Sequence, residues 1–442
     1  MRILAITAGA GPMYCGSCLR DNALAAELIS RGHDVSLLPI YTPTVTDEPN
    51  VSDEHVFFGG VSVYLQQYVP LFRKTPWLLD RIWDSGPVIR ALAGRAVSVD
   101  PRMLGELTVS MLKGEEGFQH KEVEKLLYFL ERQAAYDVVV LPNSLLLGLA
   151  GPIRRRLGRP VACTLQGEDL FLDNLTEPYR SESLALIRRH VPSVDGFVAV
   201  SGYYAGFMSE FLGLPRRRVH TVPLGITLGG LAPAVAARPT DQPYTVGYFA
   251  RVAPEKGLHL LAEAYRLLRA RGGREARLEV AGYLAPEHQD YLAGVQQQLE
   301  KWGLAAEFHY RGVLDRAAKA AFFQGLDVVC VPSPYVEPKG LYVLEAMASG
   351  VPVVSPRHGA FPELMANTGG GVLVEPGDAA AFAQALRALR DDPAQAAELG
   401  RRGVNGVRRH YSVERMAERA LEVYRALTQS EPAHRAAAGG NA

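Results

Sequence analysis

Glu337 and Glu345 lie in the run PSPYVEPKGLYVLEAMASGVPVV, residues 332–354, with seven residues between them. An apolar run precedes this stretch and Gly-Val-Pro-Val-Val closes it. A helix opening near residues 338–340 would hold Pro338 in its first turn, where the missing N–H costs nothing. Glu337 then stands just ahead of the helix and Glu345 two turns inside it. At that separation the pair cannot serve one bond as acid and base. The two carboxylates suit different tasks: Glu345 accepting hydrogen bonds from a ribose diol, and Glu337 placed at a transferred sugar. The N–H groups of Gly340 and Leu341 are suited to holding phosphate. A plainer role for Glu345 is a hydrogen-bond network inside an amphipathic helix, because a carboxylate between Leu344 and Ala346 needs partners. A second constellation is GYFARVAPEKG, residues 247–257. A strand ends there, Arg251 and Lys256 flank a tight turn, and a helix begins. Two cations and helix-start N–H groups aimed at one spot favour a diphosphate. Taken alone, an Arg and a Lys around a loop fit an ordinary surface turn equally well.

These residues need a frame. Short apolar runs alternate with helical stretches along most of the chain. In the first half the expected strands are 2–7, 34–40, 137–141, 160–164, 196–200 and 219–222. Helices are expected over 18–31 and 144–157, closed by Gly32 and Gly158. Residues 229–243, rich in Gly, Ala and Pro, read as a linker. The alternation resumes with strands at 244–250, 277–281, 307–310, 327–331, 351–355 and 371–374. Continuous apolar strands interleaved with helices predict an α/β protein of two doubly wound, Rossmann-like domains facing across a cleft. The expected boundaries are an acceptor-side domain at 1–228, the linker, and a nucleotide-sugar domain at 244–411. A C-terminal helix at 412–428 would cross back to the first domain, and a disordered tail would follow at 429–442. Residues 56–135 break the alternation with aromatic and helical segments at 63–68, 77–83 and 122–133. An insertion of this length is suited to specificity, touching sugar or a lipid surface, or it packs a small core of its own.

The stretch 332–354, together with 247–257, resembles the donor-binding half of GT-B-fold glycosyltransferases, specifically glycosyltransferase family 4. That family pairs Glu-x7-Glu, in a Leu-Glu-Ala-Met-Ala helix followed by Gly-x-Pro-Val-Val, with an upstream strand-end Gly-x-x-x-Arg and a Lys-Gly. Gly247, Arg251, Lys256 and Gly257 match the upstream part. Gly312-Val313-Leu314 resembles the loop whose backbone reads the base, and residues 358–363 resemble the family's post-strand turn. The likeness spans residues 1 to about 425 and is weak between 41 and 135. It implies a retaining enzyme moving a hexose from a UDP- or GDP-sugar to an unidentified glycan, lipid or small-molecule acceptor. Arg251 and Lys256 would stabilise the departing diphosphate, Glu345 would hold the ribose, and Glu337 the sugar. No metal and no further cofactor are expected, and the chain has no Asp-x-Asp. On this reading Glu345→Ala and Lys256→Ala each abolish turnover and leave the fold intact.

Three departures from the family pattern stand out. Leu141-Pro142-Asn143-Ser144 and Thr164-Leu165-Gln166-Gly167-Glu168-Asp169 occupy the places of two family histidines. Lys339 stands where an aromatic commonly precedes the glycine, and it adds positive charge near the donor. Candidate sugar or acceptor contacts are therefore Asn143, Gln166, Glu168 and Asp169, with His120 of the insertion and Arg20, Asp21 and Asn22 beyond the first strand. The loop after that strand carries Gly9, Gly11 and Gly16, which allow close backbone approach to a donor. It also carries Cys15-x-x-Cys18, a spacing shared with redox pairs. A thiol oxidoreductase is thus one competing reading, and a sugar-nucleotide-binding protein without transfer activity is another.

Composition narrows the field. The 442 residues carry 47 Lys plus Arg against 47 Asp plus Glu, and are 48% hydrophobic. Zero net charge argues against nucleic-acid binding by bulk charge. Four cysteines are no disulfide framework. No apolar run is long enough to span a bilayer, and residues 1–7 read as a strand, not a signal peptide. The expected setting is the cytoplasm, with peripheral membrane contact at its inner face through the insertion.

Overall fold

The computed structural model describes residues 1–9, 15–54, 56–58, 63, 66–67, 101–231 and 241–429. It divides into two units: Met1–Val222 with the chain from Ala417 onward, and Pro223–Met416.

In the first unit six strands form one sheet in the order β2-β1-β3-β4-β5-β6. They are β1 (Arg2–Thr7), β2 (Asp34–Pro39), β3 (Val138–Leu141), β4 (Val161–Leu165), β5 (Gly196–Ala199) and β6 (Val219–Thr221). All five pairings are parallel. β3, β4 and β5 are buried along their whole length, which is why they read as unbroken apolar runs. Helix α1 (Gly16–Ser30) follows β1. Gly32, at φ 81°, turns the chain back beyond it. The expected helix over 144–157 is two pieces, a 3-10 stretch at Ser144–Leu149 and an α-helix at Ala150–Leu157. Gly148, in the 3-10 piece, is where the Met111 backbone packs: a Cβ there would lie 2.4 Å from the Met111 carbonyl oxygen.

The described part of the insertion contains the helices Pro101–Leu112 and His120–Glu131. They enter the first unit's core through Val109, Val123, Leu126, Leu127 and Leu130. The segment 77–83 and residues 64, 65 and 68 lie outside the described residues, as do Gly11, 232–240 of the linker and the tail from 430.

The second unit holds β7 (Tyr244–Phe249), β8 (Ala276–Ala281), β9 (Phe308–Tyr310), β10 (Val328–Cys330), β11 (Val353–Pro356) and β12 (Gly371–Val374). Their order is β12-β11-β10-β7-β8-β9, again all parallel. Counted within the unit this is 3-2-1-4-5-6, the order of dinucleotide-binding sheets, with its switch point between β7 and β10. The helices that matter below are α2 (Leu258–Ala270), α3 (Arg316–Gln324), α4 (Leu341–Ala348) and α5 (Phe361–Thr368). The last helix, α6 (Val413–Gln429), begins in the second unit and ends in the first. Its Leu427 lies against Gly196 of β5. Among the described residues no helix is long and apolar enough to cross a membrane.

Candidate functional site

The second unit's switch point is built from the loops that leave β7 and β10. After β7 the chain makes one 3-10 turn, Pro254–Lys256, and Gly257 opens α2 at φ 75°. A Cβ on Gly257 would lie 2.2 Å from the Pro332 carbonyl oxygen, so only glycine lets the two loops close. Ser333 Oγ donates to the Glu255 carbonyl at 2.9 Å, and Tyr335 N–H donates to the same oxygen. This stitching sets Lys256 against Glu337. Lys256 Nζ donates to Glu337 Oε2, with only 14% and 6% of the two side chains exposed. The ammonium also faces the rings of Tyr335 and Tyr342, at 5.4 and 5.7 Å from their centroids. Burial raises the Tyr342 phenol well above its ordinary range, so it stays protonated. Arg251 is more exposed and pairs with Glu255.

Glu337 is held from behind. Its carbonyl accepts from Ala360 N–H at 2.8 Å, and a Cβ at Gly359 would strike that carbonyl at 2.4 Å. His358 bonds through Nε2 to the Ser333 carbonyl at 3.0 Å. Burial lowers its pKa, only partly offset by the Ser333 carbonyl and the Glu337 charge, so the ring is neutral near pH 7. Sequence reasoning placed His358 in a turn and missed its position beside Glu337.

The expected helix start needs correcting. α4 begins at Leu341, not at 338–340, because Gly340 adopts φ 65° and caps the helix in a left-handed conformation. Pro338 is therefore not a first-turn residue. Glu345 sits little more than one turn inside the helix instead of two. It is also committed: Lys319 Nζ donates to Glu345 Oε1 at 2.6 Å, with 5% and 9% of the side chains exposed. The paired network weighed for Glu345 is thus present. Lys319 was missed, yet α3 reads RAAKAAFFQ, and Lys319 shares the buried face with Phe323 four residues on. A lysine on an apolar stripe signals a buried counter-charge. Of the base-loop candidates, Gly312 takes φ 70°, Val313 is exposed and Leu314 half-buried. Lys339 is half-buried.

In the first unit the loops after β1, β3 and β4 carry the other candidates. Several turn out to hold the scaffold. Asn22 is fully buried, donates to the Pro49 carbonyl at 3.0 Å and accepts from Val51 N–H at 2.9 Å. Asn143 accepts from Leu145 N–H. Glu168 accepts from the N–H groups of Gln166 at 2.8 Å, Gly167 at 3.1 Å and Ser144 at 3.1 Å. Backbone N–H groups leaving a strand have no ladder partner, and short acceptor side chains supply one. Burial pushes the Glu168 carboxyl up, against hydrogen bonds that include the Gln166 and Ser144 N–H groups. Gln166 is buried and donates to the Pro142 carbonyl at 2.8 Å. Asp169 accepts from the Tyr204 hydroxyl at 2.6 Å. Asp21 accepts from Thr7 Oγ at 3.2 Å and from Arg20 at 2.9 Å.

His120 stands apart from this cluster, tied to the Gly117 carbonyl of its own turn. Gly9 is required by a close approach to the protein itself: its Cβ would lie 1.9 Å from the Thr42 carbonyl oxygen. Gly16 is the first residue of α1. Cys15 and Cys18 are free thiols. The hydrogen bond with Cys15, then burial, drive the Cys18 thiol far above its usual range, so Cys18 is no thiolate nucleophile. Among the described residues no three His, Cys, Asp or Glu side chains group as metal ligands.

Comparison with known proteins accords with this layout. Residues 21–225 match the glycosyl transferase 4-like domain, and residues 235–405 match the glycosyl transferases group 1 domain. A glycogen synthase of Mycobacterium tuberculosis is 32% identical over 45% of this chain and 46% of its own length. The chain thus spans about half the length of the first curated relatives it matches. A D-inositol 3-phosphate glycosyltransferase of Xylanimonas cellulosilytica is 29% identical over 91% of this chain and 99% of its own. Among solved structures, a sucrose-phosphate synthase of Thermosynechococcus elongatus superposes with a TM-score of 0.71 at 20% identity, covering 97% of this chain and 99% of that one. Anabaena HepE in complex with UDP and glucose gives 0.66 at 17% identity, covering 96% and 100%.

Proposed function

Because this chain belongs to the GT-B-fold glycosyltransferases of the group 1, family 4-like type, we propose that it is a retaining hexosyltransferase. It takes a UDP- or GDP-sugar in the cytoplasm and passes the hexose to a glycan, lipid or small-molecule hydroxyl. The observation that carries this reading is the Lys256–Glu337 pair at the β7/β10 switch point, with Arg251 on the same loop. Sheets of this order bind ligands beyond that point.

Breaking the anomeric C–O bond adds negative charge to the departing diphosphate. Lys256 and Arg251 supply the compensating charge, on a loop fixed before the donor arrives. Their carboxylate partners, Glu337 and Glu255, keep both cations neutralised until then. Glu337 then holds the sugar, Glu345 the ribose, and the backbone at Val313 and Leu314 the base. The first turn of α4, from Gly340 and Leu341, faces phosphate, and Lys339 adds to the positive potential. In the first unit, Gln166, Asp169 and Asp21 are the contacts assigned to sugar or acceptor. The HepE neighbour crystallised with UDP and glucose supports UDP as the first donor nucleotide to test.

The test is a thermal-shift panel of UDP, GDP, ADP and their sugars, followed by mass-spectrometric detection of transfer to acceptors including D-inositol 3-phosphate. At least one nucleoside diphosphate is expected to raise the wild-type midpoint. Lys256→Met is expected to lose that shift and all turnover. A panel with no shift, or an unaffected Lys256→Met, would overturn the reading. Binding without transfer to any acceptor would mark a sugar-nucleotide-binding protein.

A further inference from the structure

The Lys319–Glu345 pair joins two elements that approach the donor separately. α3 starts directly after the Gly312–Leu314 loop. Its first turn is fixed by Asp315, whose side chain accepts from Ala318 N–H at 2.8 Å. Lys319 N–H donates to the Asp315 carbonyl at 2.8 Å, so the Lys319 backbone belongs to that same first turn. The start of α3 is also anchored through Arg316, which donates to the Thr227 carbonyl at 2.9 Å and the Gly229 carbonyl at 3.0 Å. From this base the Lys319 side chain reaches Glu345 in the middle of α4. The elements on either side are locked as well: Gly340 leaves room for Leu364 and Phe361 of α5, and Ser349 Oγ donates to the Glu345 carbonyl at 2.9 Å.

We propose that Lys319 is a positioning residue for donor recognition, a strut that keeps the Glu345 carboxylate aimed at the ribose diol and fixes its distance from the base-reading loop. The proposal rests on the donor-site reading above. Three features carry it. The pair is buried at both ends, so solvent does not screen it. The Coulombic contact is short. And Lys319 is four residues from Asp315, so any shift of the carboxylate is a shift relative to the loop. An ammonium that holds one carboxylate oxygen orients the whole group without touching substrate. A ribose hydroxyl then meets a preorganised acceptor, and an analogue lacking that hydroxyl leaves a buried charge under-satisfied.

The readout is discrimination between ribo- and deoxyribonucleotide. The probes are whichever of UDP, GDP and ADP binds wild type best, and its 2′-deoxy and 3′-deoxy forms. Wild type is expected to prefer the ribonucleotide by tenfold or more over at least one deoxy form. Lys319→Met is expected to lose that preference and raise the donor KM about tenfold, with kcat at saturation changed less than threefold. Lys319→Arg is expected to restore most of the preference. Lys319→Gln, which keeps a donor in place of the charge, covers the case in which Lys319→Met does not fold, and is expected to show the same loss in weaker form. A folded Lys319→Met or Lys319→Gln with wild-type KM and wild-type ribo/deoxy preference would overturn the proposal. So would a wild type that binds the nucleotide without telling the deoxy forms apart. A wild type that binds no nucleotide refutes the donor-site reading itself, a separately recognisable outcome.

Discussion

Glu345 cannot be removed as harmlessly as its place in the sequence suggests. Taking it away removes the carboxylate that faces the Lys319 ammonium, whose side chain is only 5% exposed. Breaking a buried pair from one side costs about 3–5 kcal/mol, because the remaining charge stays desolvated. Glu345→Ala is therefore expected to lose both donor binding and stability, contrary to the intact fold anticipated from sequence. Glu345→Gln keeps an acceptor for Lys319 and should unfold at a denaturant concentration closer to wild type. Urea titrations of the two variants decide this. A wild-type midpoint for Glu345→Ala would show that the pair contributes nothing. The Lys256–Glu337 pair differs in degree: Lys256 keeps some exposure, so its loss should weigh on the donor more than on the fold.

At the scale of elements, the site depends on glycines that let loops touch. Gly257 and Gly303 both have positive φ, 75° and 73°. A side chain there pays a strain of about 1–2 kcal/mol. They differ in surroundings. Gly303 has nothing within 4 Å of an added Cβ, whereas Gly257 would drive one to 2.2 Å from the Pro332 carbonyl. Gly303→Ala should lower stability by the strain alone and keep the nucleotide-induced thermal shift. Gly257→Ala should lower stability further and abolish the shift, because the Lys256 turn can no longer seat on the β10 loop. Equal behaviour of the two variants would show that loop contact is not what positions Lys256. In the first unit Glu168 plays the comparable part, joining the loops after β3 and β4 through three N–H bonds.

At the scale of the whole molecule, charge is balanced but protonation is not. Burial is the largest cause of a lowered pKa at His33, His190, His220, His259 and His358, three in the first unit and two in the second. A folded pKa below the ordinary value means that the unfolded chain takes up protons first as pH falls. Stability is then full above about pH 6.5 and is lost as pH drops from there toward the lowered values. Glu168 works in the opposite sense: its raised carboxyl favours the folded state where it is protonated, a contribution lost as pH rises through its folded value. Among the described residues, five groups against one predict a melting temperature that declines as pH falls from about 6.5 to about 5.5. A flat or rising profile over that interval would contradict the burial assigned to these rings.

The amino-acid order by itself determined the strands, because a parallel strand covered on both faces must be apolar throughout. The observed bounds of Arg2–Thr7 and Gly371–Val374 are those expected, and the others shift by a residue or two. It also marked the two loops proposed here for the donor, since Arg251 with Lys256, and Glu337 with Glu345, are local in sequence and their spacing is legible without a fold. It misplaced the start of α4, where the left-handed Gly340 overrides the helix signal of Pro338. Only the tertiary structure decided which charges meet. Lys256 and Glu337 are 81 residues apart, and Lys319 and Glu345 are 26 apart. Contact at such separations is set by strand order, which brings β10 beside β7 and puts Lys319 of α3 within reach of Glu345 of α4. For the same reason the first unit's polar residues looked like a ligand site in sequence, while the folded chain spends Asn22, Asn143 and Glu168 on its own backbone.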